Sequence, residues 1–166
     1  MNKTFTVTFN SLPKTLDEMK ALPEASLSTP EGTAALFLAA MCLYPENKDE
    51  AYKMIDFISG PREVSNMERQ FIRDRMMDKE YLPFSYFKGA VPTNNYTPDT
   101  PYVLEFSDNP YSYKEENYIN LYISSGGADS PRAIKLRHQG STNKWFLWEQ
   151  FLLVGIRIPV SEDPWA

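Results

Sequence analysis

Cysteine and histidine are almost absent from this sequence, which contains only Cys42 and His138. A single cysteine excludes a disulfide within the chain, and a lone thiol in an apolar run is typical of the reducing cytoplasm. One cysteine and one histidine also cannot supply the four ligands of a structural zinc site. The acidic residues show no calcium-loop spacing, so the sequence predicts neither a metal site nor a cofactor.

Clustered positive charge and long apolar runs are lacking as well. The formal net charge is −5, and the lysines and arginines form no patch of the kind that phosphate backbones require, so we expect no nucleic-acid partner. The longest apolar run, from Ala34 to Tyr44, is shorter than the roughly 20 residues that cross a bilayer. The first residues alternate between polar and apolar and do not resemble a signal peptide. These features predict a cytoplasmic protein with no membrane contact.

Helix signals dominate the first half of the chain. Thr15 and Ser65 each precede a glutamate by three residues, which is the spacing of a capping box. Thr29 stands before Pro30, and proline is favoured as the first helical residue. The run after Pro30 is apolar on all sides, so we predict a central buried helix there. The helical part is expected to cover residues 12–80.

Two further helices should each turn one apolar face toward the core. Asn47 begins the first, and Gly60 followed by Pro61 ends it. In the second helix the apolar side chains recur at helical spacing, which predicts a buried face. The residues expected on that face are Met67, Phe71, Ile72 and Met76.

Residues 81–101 are rich in proline and aromatic side chains and have no helical period. Eight of the ten tyrosines fall between Tyr81 and Tyr122. Such a segment is too hydrophobic to be a free linker. We therefore expect it to be ordered but irregular, and to pack against its neighbours.

Strand patterns fill the rest of the chain. The stretch from Thr4 to Phe9 alternates strictly and predicts a half-buried strand. Four more strands are predicted within residues 102–160, at Tyr102–Phe106, Tyr118–Ile123, Ala133–His138 and Lys144–Trp148. Short, turn-rich connections predict an antiparallel meander. The expected fold class is α+β: one domain over residues 1–166, with N-terminal helices on a C-terminal antiparallel sheet to which the N-terminal strand is a candidate addition.

Aromatic residues mark the faces of that sheet. Tyr118 and Tyr122 share one strand face, which should be exposed or lie beneath the irregular segment. Trp145 and Trp148 fall on opposite faces of the last predicted strand, so one of them should cover the outer face. Trp165 stands near the end of the sequence, where we expect a tryptophan to anchor the tail.

The stretch SSGGADSPR, from Ser124 to Arg132, is the first candidate site. It lacks the spacing and the lysine of a phosphate-binding loop, and it leads into a strand, whereas phosphate loops precede a helix. We interpret Gly126 and Gly127 as turn residues with positive φ. Asp129 is interpreted as a turn acceptor or as the partner of Arg132. The alternative is a ligand site in which Arg132 binds an anion.

His138 and two tyrosines are the remaining candidates. We interpret His138 as a partly buried histidine at a hairpin end; the alternative is a general base, for which no partner is identifiable. Tyr111 and Tyr113 combine apolar area with a polar tip, so they are candidate ligand contacts. No catalytic residue is predicted, and the sequence favours a protein without enzymatic activity.

Several long motifs carry a family resemblance. They are NPYSY, SGGADSPRAIKLR and KWFLWEQFLLVGIRIPVSEDPWA, preceded by FIRDRM and YLPFSYFKGAVPTNNYTP. These motifs resemble those of a bacterial domain family of unknown function, and the resemblance extends over most of the chain, from about Leu12 to Ala166. The resemblance implies one structural unit, and it brings no activity, cofactor or site residue.

Three functions remain open. The preferred one is a cytoplasmic, non-enzymatic module that binds a protein or a small molecule through the sheet and the aromatic segment. The second is a cone-shaped fold like the NTF2-like group, whose pocket binds a small ligand or performs acid–base chemistry with His138, Asp129 or a tyrosine. The third is a structural domain that forms homo-oligomers through exposed Tyr and Trp side chains.

Overall fold

The sheet in this computed structural model, which describes residues 2–166, has five strands that lie in sequence order. They are β1 Thr4–Phe9, β2 Tyr102–Ser107, β3 Tyr118–Ile123, β4 Arg132–Gln139 and β5 Lys144–Gln150. Every neighbouring pair is antiparallel. The predicted meander is therefore confirmed, and the N-terminal strand joins it beside β2.

Within the described residues, four α-helices lie between β1 and β2 in the sequence. They are α1 Leu16–Lys20, α2 Pro30–Leu43, α3 Lys48–Ile58 and α4 Asn66–Met76. Each begins after a predicted cap whose side chain accepts a hydrogen bond from a first-turn N–H, the caps being Thr15, Thr29, Asn47 and Ser65. A cap of this kind contributes about 1 kcal/mol. The predicted α+β class is confirmed.

The centre of the core is α2. Every residue from Gly32 to Leu43 is buried, because the helix is apolar on all sides and must be enclosed. It packs against α3 and against β1, β4 and β5. The buried residues of the sheet that form its inner face are Val7, Phe9, Leu104, Phe106, Ile119, Leu121, Ile123, Ile134, Leu136 and Leu147.

The prediction of an apolar, core-facing side on α4 is confirmed for only two of its four residues. Ile72 and Met76 are buried, whereas Met67 is 83% exposed and Phe71 is 39% exposed. The helix lies at the margin of the core, and its first turns face a groove beside β5. The prediction that Met67 and Phe71 pack into the core is therefore wrong.

The segment between α4 and β2 is ordered and irregular, as predicted. It contains the short 3₁₀ helices Pro83–Tyr86 and Pro92–Asn94. Tyr81 stacks on Tyr96 with ring centroids 5.2 Å apart. The hydroxyl of Tyr86 donates to the carbonyl of Leu152, so this segment links the helices to the chain that follows β5.

The three tryptophans take different positions. Trp145 packs against the core, whereas Trp148 covers the outer face of the sheet, edge-to-face with Tyr118 at 5.6 Å between centroids. This confirms that the two lie on opposite faces. Trp165 is 93% exposed, so the prediction that it anchors the tail is wrong. Its backbone N–H makes only a local bond to Asp163.

The outer edge of β5 is closed by the helical part. The N–H of Trp145 donates to the carbonyl of Leu27 over 2.8 Å, and the carbonyl of Trp145 accepts from the Thr33 hydroxyl over 2.7 Å. The Arg62 guanidinium donates to the carbonyls of Leu147 and Trp148. A bare sheet edge invites pairing with other chains, and these three contacts occupy that edge.

Replacing Thr33 by valine tests this closure. Thr33 is fully buried, and valine keeps its shape, so the variant leaves the carbonyl of Trp145 without its hydroxyl donor. A buried unsatisfied acceptor costs about 1–3 kcal/mol, and we expect the free energy of unfolding in urea to fall by that amount. Thr93→Val, at an exposed position, should change it by less than about 0.5 kcal/mol. Equal losses in the two variants would contradict the role given to Thr33.

Candidate functional site

A surface groove runs beside β5 and joins two adjoining cavities. The first, of about 470 Å³, lies between the loop after α3 and the β4–β5 hairpin. The second, of about 380 Å³, lies between α4 and the end of β5. Arg62, Leu147 and Trp148 line both cavities. We therefore treat them as one site, called the β5 groove below.

An irregularity in the β4–β5 pairing places Trp148 in this groove. Lys135 lies opposite Glu149, but the next residue, Leu136, lies opposite Leu147. Trp148 therefore has no partner on β4, and the strand bulges there. Bulges re-aim side chains and are frequent beside functional sites.

The ring of Trp148 holds two arginines beside the groove. The guanidinium carbons of Arg62 and Arg137 lie 4.9 Å and 4.8 Å from its centroid, within the range of a cation–π contact. Arg137 also lies 5.5 Å from the ring of Tyr118. These contacts restrict the two long side chains before any ligand arrives.

The two arginines differ in what else they bind. Arg62 donates to two carbonyls of β5 and pairs with Glu68 at 3.5 Å. Arg137 is exposed, and its guanidinium has no hydrogen-bond or ion-pair partner anywhere from residue 2 to residue 166. Its planar set of N–H donors matches a carboxylate or a phosphate. Arg137 is thus the arginine of this groove that is free to meet an anion.

The two ends of the β5 groove differ in character. The described lining of the first cavity contains Arg62, Arg137 and His138 and no carboxylate. The second cavity is mainly apolar, with Glu68 and Glu149 as its acidic residues. Its exposed apolar side chains are Met67 at 83%, Phe71 at 39% and Phe151 at 51%. Apolar side chains exposed side by side mark interaction surfaces.

His138 lies in the wall of the first cavity. Its Nε2 is 2.9 Å from Oδ1 of Asn143, and its ring packs on Trp145 with centroids 4.7 Å apart. This agrees with a partly buried histidine at a hairpin end. Asp129, Arg132 and the tyrosines are not among the described residues that line this cavity, so the predicted acid–base groups do not come together there.

The conformational role predicted for Gly126 and Gly127 is wrong, because neither has a positive φ. The loop instead packs closely against residues 81–101. A Cβ on Gly126 would lie 2.0 Å from the carbonyl oxygen of Ala90, and a Cβ on Gly127 would lie 2.1 Å from the hydroxyl of Tyr96. The N–H of Gly126 also donates to the carbonyl of Ser85 over 2.8 Å. Close backbone approach, not turn conformation, explains these two glycines.

The predicted pair between Asp129 and Arg132 is wrong as well. Asp129 pairs with Arg157, because the chain after β5 crosses the loop and Arg157 donates its N–H to the carbonyl of Gly127. Arg132 donates instead to backbone carbonyls, those of Ser130, Val154 and Gly155. Arg132 therefore ties the loop to the chain after β5, and these bonds leave few donors for an anion.

Tyr111 and Tyr113 lie away from the described lining of the β5 groove and are 61% and 57% exposed. The hydroxyl of Tyr113 donates to Asp108. This bond, with a second from the N–H of Lys3, lowers the pKa of the Asp108 carboxyl. Partial burial and the same bond raise the pKa of Tyr113 to about 12. The structure therefore gives Tyr113 a local bracing contact.

Sequence reasoning did not find Arg62, Arg137 or the exposed apolar patch. A signal for Arg137 exists: it alternates with Leu136 on β4, so it lies on the outer face, where its neighbour across the strands is Tyr118. Arg62 meets β5 only through the tertiary fold. Met67 and Phe71 have the spacing of core residues, and nothing local distinguishes them.

Neither a metal centre nor a membrane span emerges from residues 2–166. No three His, Cys, Asp or Glu side chains in this range are grouped so that they can hold a metal ion. In the same range no helix combines the length and the apolar character needed to cross a bilayer.

The fold and the groove define an α+β protein with an open surface site that is cationic at one end and apolar at the other. The family described as "Domain of unknown function (DUF6935)" matches residues 11–160, and the chain belongs to this family. The predicted membership in a family of unknown function is thereby confirmed. No curated protein and no solved structure matches the chain.

Alanine substitutions at glycines test the packing of the SSGG loop. In Gly126→Ala the new methyl meets a backbone carbonyl, which cannot move without displacing its own segment. Overpacking of this kind costs about 1–3 kcal/mol, or more, and we expect a matching loss in the free energy of unfolding. Gly140→Ala is the matched control, because nothing lies within 4 Å of a Cβ there. A Gly126→Ala variant as stable as Gly140→Ala would refute the close approach.

The Tyr113–Asp108 bond predicts a change in titration. Removing the hydroxyl in Tyr113→Phe should raise the pKa of Asp108 toward its ordinary value of 3.8, as measured by NMR titration of the carboxyl carbon. Because the folded-state pKa is lowered, the stabilising effect of this carboxylate is present above the unfolded pKa. It is lost as pH falls through the folded pKa. Tyr111→Phe, whose hydroxyl has no bond in the described chain, should leave the Asp108 titration unchanged.

Proposed function

We propose that this protein is a non-enzymatic binding module whose β5 groove takes an extended segment of a partner protein. One observation carries the proposal: an arginine free of protein partners, Arg137, is held on an aromatic ring next to exposed apolar side chains. Such side chains are costly to expose without a use, and an arginine fixed in this way is prepared to bind a carboxylate.

The open shape of the groove favours a polypeptide over a small molecule. Sites for small ligands bury most of the ligand in a concave pocket. Here Arg137, Met67 and Phe151 are all exposed, and the two cavities adjoin along β5, where they share Arg62, Leu147 and Trp148. An extended chain contacts such a surface along its length and places successive side chains in successive depressions.

The charges define the chemistry of the segment. Arg62 and Arg137 at the first cavity favour an acidic side chain of the partner, which a guanidinium binds through two parallel hydrogen bonds. Met67, Phe71 and Phe151 at the second cavity favour apolar side chains. Glu68 and Glu149 disfavour further acidic residues at that end. The groove therefore fits a segment in one orientation, with its acidic residue at the first cavity and its adjoining apolar residues at the second.

Preorganisation supports this assignment. An exposed arginine normally loses rotamer freedom when it binds, at about 0.5–1.5 kcal/mol for each immobilised side chain. The rings of Trp148 and Tyr118 already restrict Arg137, and the carbonyls of β5 already restrict Arg62. Part of the rotamer freedom of these arginines is therefore already lost in the folded chain, so less is lost on binding and the affinity is higher.

The setting that we propose is the bacterial cytoplasm. Cys42 is a buried free thiol, and burial raises its pKa well above the ordinary value. A protonated, buried thiol is inert toward disulfide exchange. A chain with one free thiol and no disulfide has the cysteine usage of proteins from reducing compartments.

Selection from a phage-displayed library of random peptides against the full chain tests the proposal. We expect the enriched peptides to combine an acidic residue with neighbouring apolar residues. In Arg137→Ala a synthetic peptide of the enriched sequence should lose about 1.5–3 kcal/mol, that is about ten- to hundredfold in Kd, measured by calorimetry. Met67→Ser should also weaken binding.

The matched control is Arg73→Ala, which removes an exposed arginine of α4 outside the described lining of the groove. Its Kd for the same peptide should equal that of the unmodified chain. Enriched peptides that lack acidic residues, or equal binding by the Arg137 and Arg73 variants, would reject the proposed site.

A further inference from the structure

The outer edge of β1 has unused backbone hydrogen-bonding groups. Just before β1, the carbonyl of Lys3 accepts a hydrogen bond from the N–H of Asp108. Within β1, Phe5 lies opposite Phe106 and Val7 lies opposite Leu104. In an antiparallel pair, hydrogen-bonded residues recur at every second position. The odd-numbered residues of β1 thus bond to β2.

It follows that the N–H and C=O groups of Thr4, Thr6 and Thr8 point away from β2. Their side chains are exposed, and no residue between 2 and 166 outside the β1–β2 pair bonds to their backbone groups. Val103 supports this geometry, because its carbonyl accepts from Lys88 on the side away from β1.

The two edges of the sheet differ in how far other parts of the chain cover them. The edge of β5 is occupied by Leu27, Thr33 and Arg62. The edge of β1 has none of the features that proteins use to block pairing, since Thr4–Phe9 contains no proline, no charge and no register shift. An unprotected, regular edge is a template for another strand.

We propose that β1 pairs antiparallel with β1 of a second copy, about a twofold axis that passes beside Thr6. Thr6 then lies opposite Thr6 of the second copy, and Thr4 lies opposite Thr8. This register brings together the backbone groups that point outward on both chains. The two five-stranded sheets become one continuous sheet.

The sequence of β1 makes a second copy the fitting occupant. Opposed threonines form favourable cross-strand pairs, and the pattern Thr4, Thr6, Thr8 is symmetric about its centre. The charged residue next to the strand, Lys3, falls opposite Phe9, so the pairing places no like charges together. Twofold dimers are the commonest homo-oligomers. The β5 groove lies at the opposite edge and stays open, so this inference does not depend on the proposed function.

A single-cysteine variant tests the register. In the proposed dimer the two Thr6 Cα atoms lie about 5.5 Å apart, within the range of a disulfide, and the native Cys42 is buried. We expect Thr6→Cys to give a covalent dimer under mild oxidation on a non-reducing gel. In Thr8→Cys the two substituted positions are about 14 Å apart, and in Thr93→Cys the thiol lies outside β1. Both should stay monomeric on that gel.

Thr6→Pro tests the pairing without a crosslink. Proline removes an N–H that β2 does not use, a position where sheets tolerate it. We expect the unmodified chain to sediment as a dimer and Thr6→Pro as a monomer, with unchanged circular dichroism. The Tm of the unmodified chain should rise with protein concentration, because dimerisation stabilises the folded state, whereas the Tm of Thr6→Pro should not. Thr6→Val, which keeps the N–H, should remain a dimer. A monomeric unmodified chain at high concentration, or equal crosslinking at positions 6, 8 and 93, would overturn the proposal.

Discussion

The enclosure of α2 is the constraint on which the rest of the structure depends. Its residues from Gly32 to Leu43 are all buried, so water must be excluded on every side of a helix that has no polar face. One face of a five-stranded sheet covers one side, and α3 with the segment 81–101 contributes to the rest. The sheet, α3 and the packed aromatic segment together meet this requirement, and α4 lies at the margin of the core.

The same enclosure makes the two edges of the sheet unequal. β5 lies against α2, so Thr33 and Leu27 reach its backbone, and Arg62 reaches it from the loop after α3. The groove lies there, between α4 and the end of β5, and Trp148 lines it. The outward edge of β1 receives no comparable contact from the helical part. One edge of the fold thus carries a structured groove, and the other carries a regular row of backbone groups.

Local patterns predicted the elements well, whereas contacts between distant residues escaped them. The caps at Thr15, Thr29 and Ser65 act within a single turn, so their geometry is encoded in neighbouring residues. The sequence interpretation of Gly126 is wrong because the group that leaves no room for a side chain there is the carbonyl of Ala90, a residue distant in the sequence. Asp129 has Arg132 nearby in the chain, yet Arg157 is its partner. A neighbour in sequence is a weak guide to partners once the chain after β5 crosses the loop.

What the sequence by itself determined is the order of helices and strands, the buried helix and the class of fold, because periodicity and capping are properties of short segments. The family was also identifiable from its motifs. Only the tertiary structure decided which arginine is free. Arg132 and Arg137 lie on the same strand, but the chain after β5 supplies carbonyls to Arg132, while Trp148 offers Arg137 only the face of a ring. That difference depends on which backbone passes within reach of each side chain, and only the packing of the whole chain sets it.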